Sequence, residues 1–86
     1  MAKNENLDVI VVVSGQSTTI RVNPHQSVEQ LVKEALKESG NKGQPPDQWE
    51  LRTADGTLVD QGLNIGSAGI VSGTTLFLSP RAGVGG

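Results

Sequence analysis

The sequence predicts an α+β domain in which a mixed sheet of four to five strands wraps one helix. Three observations predict it: a β-branched run followed by a glycine turn and an alternating run, a single stretch with apolar residues at helical spacing, and a second strand-turn pattern trailed by one last alternating segment. A chain of 86 residues builds one core, because a domain this small buries only about 60% of the surface its unfolded chain exposes.

From Leu7 to Val13 nearly every residue is aliphatic or β-branched, as in a strand lying on a core. Ser14-Gly15-Gln16-Ser17 supplies a turn, and Thr18-Thr19-Ile20-Arg21-Val22 alternates, so the two runs form an antiparallel hairpin. A loop of two or four residues pairs odd positions of the first strand with even positions of the second. Leu7, Val9 and Val11 then share a face with Ile20 and Val22, while Asp8, Ile10 and Val12 point the other way.

Ser27 and Gln30 have capping-box spacing, and Val28, Leu31, Val32, Ala35 and Leu36 recur at helical spacing behind them. The helix ends at Ser39-Gly40. A loop containing Gly43 and Pro45-Pro46 crosses to a strand over 48–53, where Trp49 and Leu51 share the core face and Glu50 and Arg52 the opposite one. The Asp55-Gly56 turn leads into a short strand around Leu58. Residues 62–73 form a compact loop pinned to the core by Leu63, Ile65 and Ile70, and residues 74–79 are the last strand. Residues 1–6 and 80–86 lack any pattern that offsets the entropy of ordering them, so a disordered N-terminus and a flexible tail are expected around a domain over 7–79. The expected core is Val9, Val11, Ile20, Val22, Val28, Leu31, Ala35, Leu51, Leu58, Ile70, Leu76 and Leu78.

Composition narrows the function classes. The absence of cysteine removes disulfides, thiolate metal sites and a cysteine nucleophile. A net charge of −2, with scattered Lys and Arg and only two aromatic residues, Trp49 and Phe77, argues against a nucleic-acid surface. No run approaches the roughly 18 apolar residues of a membrane span, and the first residues lack the apolar stretch of a secretory signal, so a soluble, cytoplasmic protein is expected. His25, the single histidine, reads as a surface residue rather than a metal ligand or base, and the glycines at 62, 66 and 69 form no phosphate-binding loop.

In order, hairpin, helix, hairpin and last strand match the β-grasp fold. The local matches are Gly15 in the first turn, Val22 with Pro24, Ser27-Val28-Glu29 opening the helix, Pro45-Pro46-Asp47-Gln48 followed by Leu51, the Thr74-Thr75-Leu76-Phe77-Leu78 strand, and the final Gly85-Gly86. With these in one frame, the chain resembles the ubiquitin-like family over nearly its whole length. The resemblance implies a protein modifier and not an enzyme, monomeric when free and needing no cofactor. Its Gly86 carboxylate would be adenylated by a ubiquitin-activating-like enzyme, passed to a carrier cysteine and, with a conjugating enzyme, joined to a target protein from which a deconjugating protease releases it. Glycines at 85 and 86 suit this chemistry, because a tail without side chains can enter a narrow channel. Gly83, Val84 and Arg81 are the expected tail-recognition residues. Counting from the last strand places the family's tail arginine at Arg81, and counting back from Gly86 places it at Ala82.

The departures are specific. Arg52 and Ser79 stand where ubiquitin carries the isoleucine and valine of its apolar patch, and the chain-linking lysines have no counterpart at Gly56 and at Ser72 or Gly73. In this respect the chain is similar to bacterial ubiquitin-like proteins that work with enzymes of their own. Parity places Phe77 on the solvent side with Ile10 and Val12, rimmed by Arg52 and Glu50, a candidate partner-binding patch. Two other function classes share the pattern: a β-grasp sulfur carrier that forms a C-terminal thiocarboxylate, and a noncovalent interaction module for which Gly86 is irrelevant.

Overall fold

The computed structural model describes residues 6–81. Four strands, β1 (Leu7–Val13), β2 (Gln16–Val22), β3 (Trp49–Thr53) and β4 (Thr75–Pro80), form one mixed sheet in the order β2-β1-β4-β3. One helix, α1 (Val28–Glu38), and a 3-10 turn at Pro46–Gln48 complete the regular structure among the described residues. This is the ubiquitin-like β-grasp arrangement. Antiparallel pairs join β1 to β2 and β3 to β4, and the parallel pair of β1 with β4 closes the centre.

The first hairpin turns on two residues. Ser14 and Gly15 both have positive φ, 51° and 83°, which is the backbone of a type I′ turn whose twist matches that of the flanking strands. Val13 therefore faces Gln16, β2 starts two residues earlier than its alternation suggests, and Val9 pairs with Ile20. Every odd residue of β1 from Val9 to Val13 is buried, together with Ile20 and Val22.

Helix α1 begins at Ser27, whose Oγ accepts the N–H of Gln30 at 3.2 Å. The reciprocal half of the expected capping box, from the Ser27 N–H to the Gln30 side chain, is not made among the described residues; Ser27 instead bridges Asn64, with the Val28 N–H donating to Leu63 O and the Ile65 N–H to Gln26 O on either side. At the other end the Asn41 N–H reaches Leu36 O at 2.7 Å and the Gly40 N–H reaches Lys37 O at 3.3 Å, the paired bonds of a Schellman stop. Val28, Leu31, Val32, Ala35 and Leu36 form the stripe buried on the sheet.

The second hairpin corrects one expected core residue. Thr53 faces Thr57 across three residues, Ala54-Asp55-Gly56, so parity is conserved through the turn rather than inverted. Arg52 bridges Leu58, and the Val59 N–H donates to Leu51 O at 2.8 Å. Leu58 therefore stands outward, 55% exposed, and Val59 enters the core at 8%. The segment around Leu58 is a single bridge, not a strand. The core also takes in Val13, Val32, Leu36, Trp49 and Ile65.

In the loop before β4, Ile65 and Ile70 are buried as anchors, but Leu63 is exposed: its carbonyl accepts the Val28 N–H at the start of α1 while its side chain faces outward. The last strand extends to Pro80, and the Arg81 N–H donates to Gln48 O at 2.8 Å, so pairing with β3 carries past the expected start of the tail. The expectations for residues 1–5, and those for Gly83, Val84, Gly85 and Gly86, lie outside the described residues.

Candidate functional site

Two surfaces built on the β3–β4 side of the sheet are candidates. The first is the outer face of the sheet. Phe77 on β4 is opposite Val12 on β1 and opposite Arg52 on β3, and Ile10 is opposite Thr75. Phe77 is 42% exposed, while Ile10 and Val12 are half-buried between it and the hydroxyl side chains of Ser17 and Thr19 on β2. The structure thus brings Ile10, Val12, Phe77, Arg52 and Glu50 onto one face.

Arg52 is held along its own strand, donating to Glu50 Oε1 at 3.0 Å and to Gly56 O at 2.9 Å. It separates the Ile10–Val12–Phe77 group from Leu58, an apolar side chain that simple alternation along the sequence turns inward. The signal that locates Leu58 is turn length: a three-residue turn after Thr53 puts Leu58 with Arg52 and leaves Val59 for the core. At the opposite corner, Arg21 Nε meets Asp8 Oδ1 at 3.1 Å across the hairpin. Each of these four charged groups is matched, so the outer face presents apolar and hydroxyl groups with no local excess of charge.

The second surface is a cleft of about 490 Å3 where β3, the start of α1 and residues 58–62 meet. Its floor is Trp49, Leu51 and Val59, and Arg81 stands at its rim. Gln61 fastens one wall, donating from Nε2 to Trp49 O at 2.9 Å and Pro46 O at 3.1 Å. Asp60 Oδ1 accepts the Gly62 N–H at 2.8 Å, which folds the segment back towards α1. Glu29, Asp47 and Asp60 line the cleft without an ion-pair partner among the described residues, and Glu50 lines it while paired to Arg52. This surface is not visible in the sequence, because its carboxylates come from three separate segments.

Among the described residues no group of three or more His, Cys, Asp or Glu side chains is placed to hold a metal, and no helix is long and apolar enough to cross a membrane. His25 is exposed in the loop before α1, its N–H donating to Asn23 Oδ1 at 2.9 Å. The clear pKa displacement belongs to Asp55 in the second turn. Hydrogen bonds from the Thr53 hydroxyl and from Thr57 hold its carboxyl below the ordinary value of 3.8.

The profile of a family described as "Protein of Unknown function (DUF2604)" matches residues 2–86. A relative from Sinorhizobium fredii (strain NBRC 101917 / NGR234), "Uncharacterized protein y4jI", is 41% identical over 80 residues; the match takes in 93% of this chain but 62% of that protein's length. Among solved structures, a de novo design based on ubiquitin superposes with a TM-score of 0.79 at 22% identity, covering 98% of this chain and 99% of the design. The N-terminal ubiquitin-like domain of the 4931431F19Rik protein superposes with a TM-score of 0.76 at 17% identity, covering 98% of this chain and 83% of that one. At these identities the two superpositions establish the fold.

Proposed function

This chain belongs to the DUF2604 family, and from its ubiquitin-like fold we propose that it is a protein modifier, joined to other proteins through the Gly86 carboxylate. The observation that carries the reading is a ubiquitin-like sheet followed in the sequence by Gly85-Gly86. Pairing of β4 with β3 reaches the Arg81 N–H, and in the sequence five residues, Ala82-Gly83-Val84-Gly85-Gly86, lead from it to the carboxylate proposed to react. Fully extended, they span roughly 17 Å, enough to bring a carboxylate into an enclosed site while the domain stays outside.

The chemistry needs an activating partner, because a carboxylate is a poor electrophile. Attack of a Gly86 oxygen on the α-phosphorus of ATP forms the acyl-adenylate and expels pyrophosphate. A partner's thiolate displaces AMP to give a thioester, and an amine on the target displaces the thiol to give an amide. The chain supplies no catalytic group. Its part is to present the tail from Arg81 and to dock its enzymes, for which the Ile10, Val12 and Phe77 face with Glu50 and Arg52 is the proposed platform. The activating, conjugating and deconjugating enzymes and the cytoplasmic setting belong to the same reading.

The test is a tagged chain ending at Gly86, produced in its native cell type, with conjugates digested by trypsin. Cleavage after Arg81 leaves Ala82-Gly83-Val84-Gly85-Gly86 on the acceptor, a remnant readable by mass spectrometry. Remnants in the parent and none in a Gly86 deletion support the modifier; none in either overturns it. Replacement of one carboxylate oxygen by sulfur, with no remnants, identifies a sulfur carrier instead.

A further inference from the structure

We propose that the cleft at the root of the tail docks a basic segment, carrying an apolar anchor, of the protein that handles Gly86; the identity of that partner rests on the modifier reading. Three features lead to this occupant. The cleft adjoins the point from which the chain proceeds to Gly86, because Arg81 both lines it and is tied through its backbone to Gln48. Its floor is apolar, with Trp49 and Val59 at the base and the exposed Leu58 on the lip. Its carboxylates at Glu29, Asp47 and Asp60 lack cationic partners among the described residues, in contrast to the outer sheet face, where Arg21 and Arg52 match Asp8 and Glu50.

Charge complementarity then selects the partner. Three unmatched carboxylates against the single guanidinium of Arg81 repel an acidic segment and attract lysine or arginine, while an aliphatic side chain between them fits the floor.

The chain carries its own reporter, because Trp49 is its single tryptophan and lies in the cleft floor. Indole fluorescence is followed while the full chain is titrated with acetyl-Lys-Leu-Arg-Leu-Lys-amide and with the acidic counterpart acetyl-Glu-Leu-Glu-Leu-Glu-amide. The basic peptide should give a saturable change that weakens at 0.15 M salt, where the Debye length is about 8 Å, and the acidic one none. The variant Asp47→Lys/Asp60→Asn, in which the asparagine oxygen can still accept the Gly62 N–H, should lose at least about tenfold in affinity. Glu38→Lys/Glu34→Gln makes the same change in net charge on helix residues that do not line the cleft, and should bind like the parent. Equal loss in both variants, or no saturable change in the parent, overturns the cleft as a docking site. The same variants are scored for Gly86 remnants in cells. A parent with remnants and an Asp47→Lys/Asp60→Asn variant with undiminished yield overturns the assignment of the partner, whereas a parent without remnants overturns the modifier reading and leaves the peptide result standing for the cleft.

Discussion

The two faces of the sheet come from the same strands and differ by one residue of register. On the inner face Val9, Val11, Val13, Ile20, Val22, Leu51, Leu76 and Leu78 are all buried, and no polar or charged side chain among the described residues joins them. On the outer face Ile10, Val12 and Phe77 keep part of their apolar surface in contact with water, among paired charges. Because strand side chains alternate with period two, whatever sets the parity of each hairpin decides which apolar residues stabilise the fold and which remain available to a partner. A substitution on one face should therefore be felt in stability and on the other in binding.

The largest effect is expected on the inner face. Leu51→Ala or Leu31→Ala removes a fully buried side chain, and each should lower unfolding free energy by about 2 to 5 kcal/mol in urea titrations, a large share of what so small a domain has. If both variants unfold at the parent's midpoint, the contrast between the faces is wrong at its base.

Next come the outer-face substitutions. On the proposed modifier reading, Phe77→Ala and Ile10→Ser should each weaken association with the proposed activating enzyme by roughly 1 to 3 kcal/mol in calorimetry, while lowering stability less than a core truncation does. Unchanged binding by the folded double variant would remove the outer face from recognition and leave the tail and its cleft.

The two turns test the parity argument directly. Gly56 has a φ of 91°, and a methyl group added to its Cα would meet open space, so Gly56→Ala brings backbone strain without a clash and should cost about 1 to 2 kcal/mol. Beyond the turn, Leu58→Ser should change stability by no more than about 0.5 kcal/mol, whereas Val59→Ser places a hydroxyl in the core and should cost several times that. Equal costs at the two positions would mean that the turn does not set the register as described.

These turns also show what the sequence makes legible. Both strands of the first hairpin, the helix stripe and the outward placement of Phe77 follow from periodicity, because alternation and helical spacing are local properties of the chain. Leu58 does not, since its side depends on whether Asp55-Gly56 belongs to a two- or a three-residue turn, and both suit an Asp-Gly pair. The cleft is less legible still: Glu29, Asp47 and Asp60 come together through the Schellman stop after α1, the Pro46–Gln48 turn and the Gln61 clamp, none of which shows as a period. The tail residues stand out by their composition and by the family resemblance, and their order in the chain carries that reading without help from packing.

The smallest expected effect concerns the second turn and acid. The Asp55 carboxylate accepts hydrogen bonds from the Thr53 hydroxyl and the Thr57 N–H, which favour its charged form, so its pKa lies below the ordinary 3.8 in the folded chain. A group that binds its proton more weakly folded than unfolded adds stability above the unfolded value, and loses that contribution as pH falls through the folded value. The contribution is therefore complete at neutral pH and fades below 3.8. Asn at this position keeps an acceptor oxygen but not the charge. Thermal melts of the parent and of Asp55→Asn should then differ at pH 7, with the parent higher, and converge once the pH has fallen from the ordinary 3.8 through the lowered folded value, where the parent's carboxyl takes up its proton. A gap of the same size on both sides of that range would show that the carboxylate's charge does not support the turn, and with it the three-residue geometry that sends Leu58 outward and Val59 into the core.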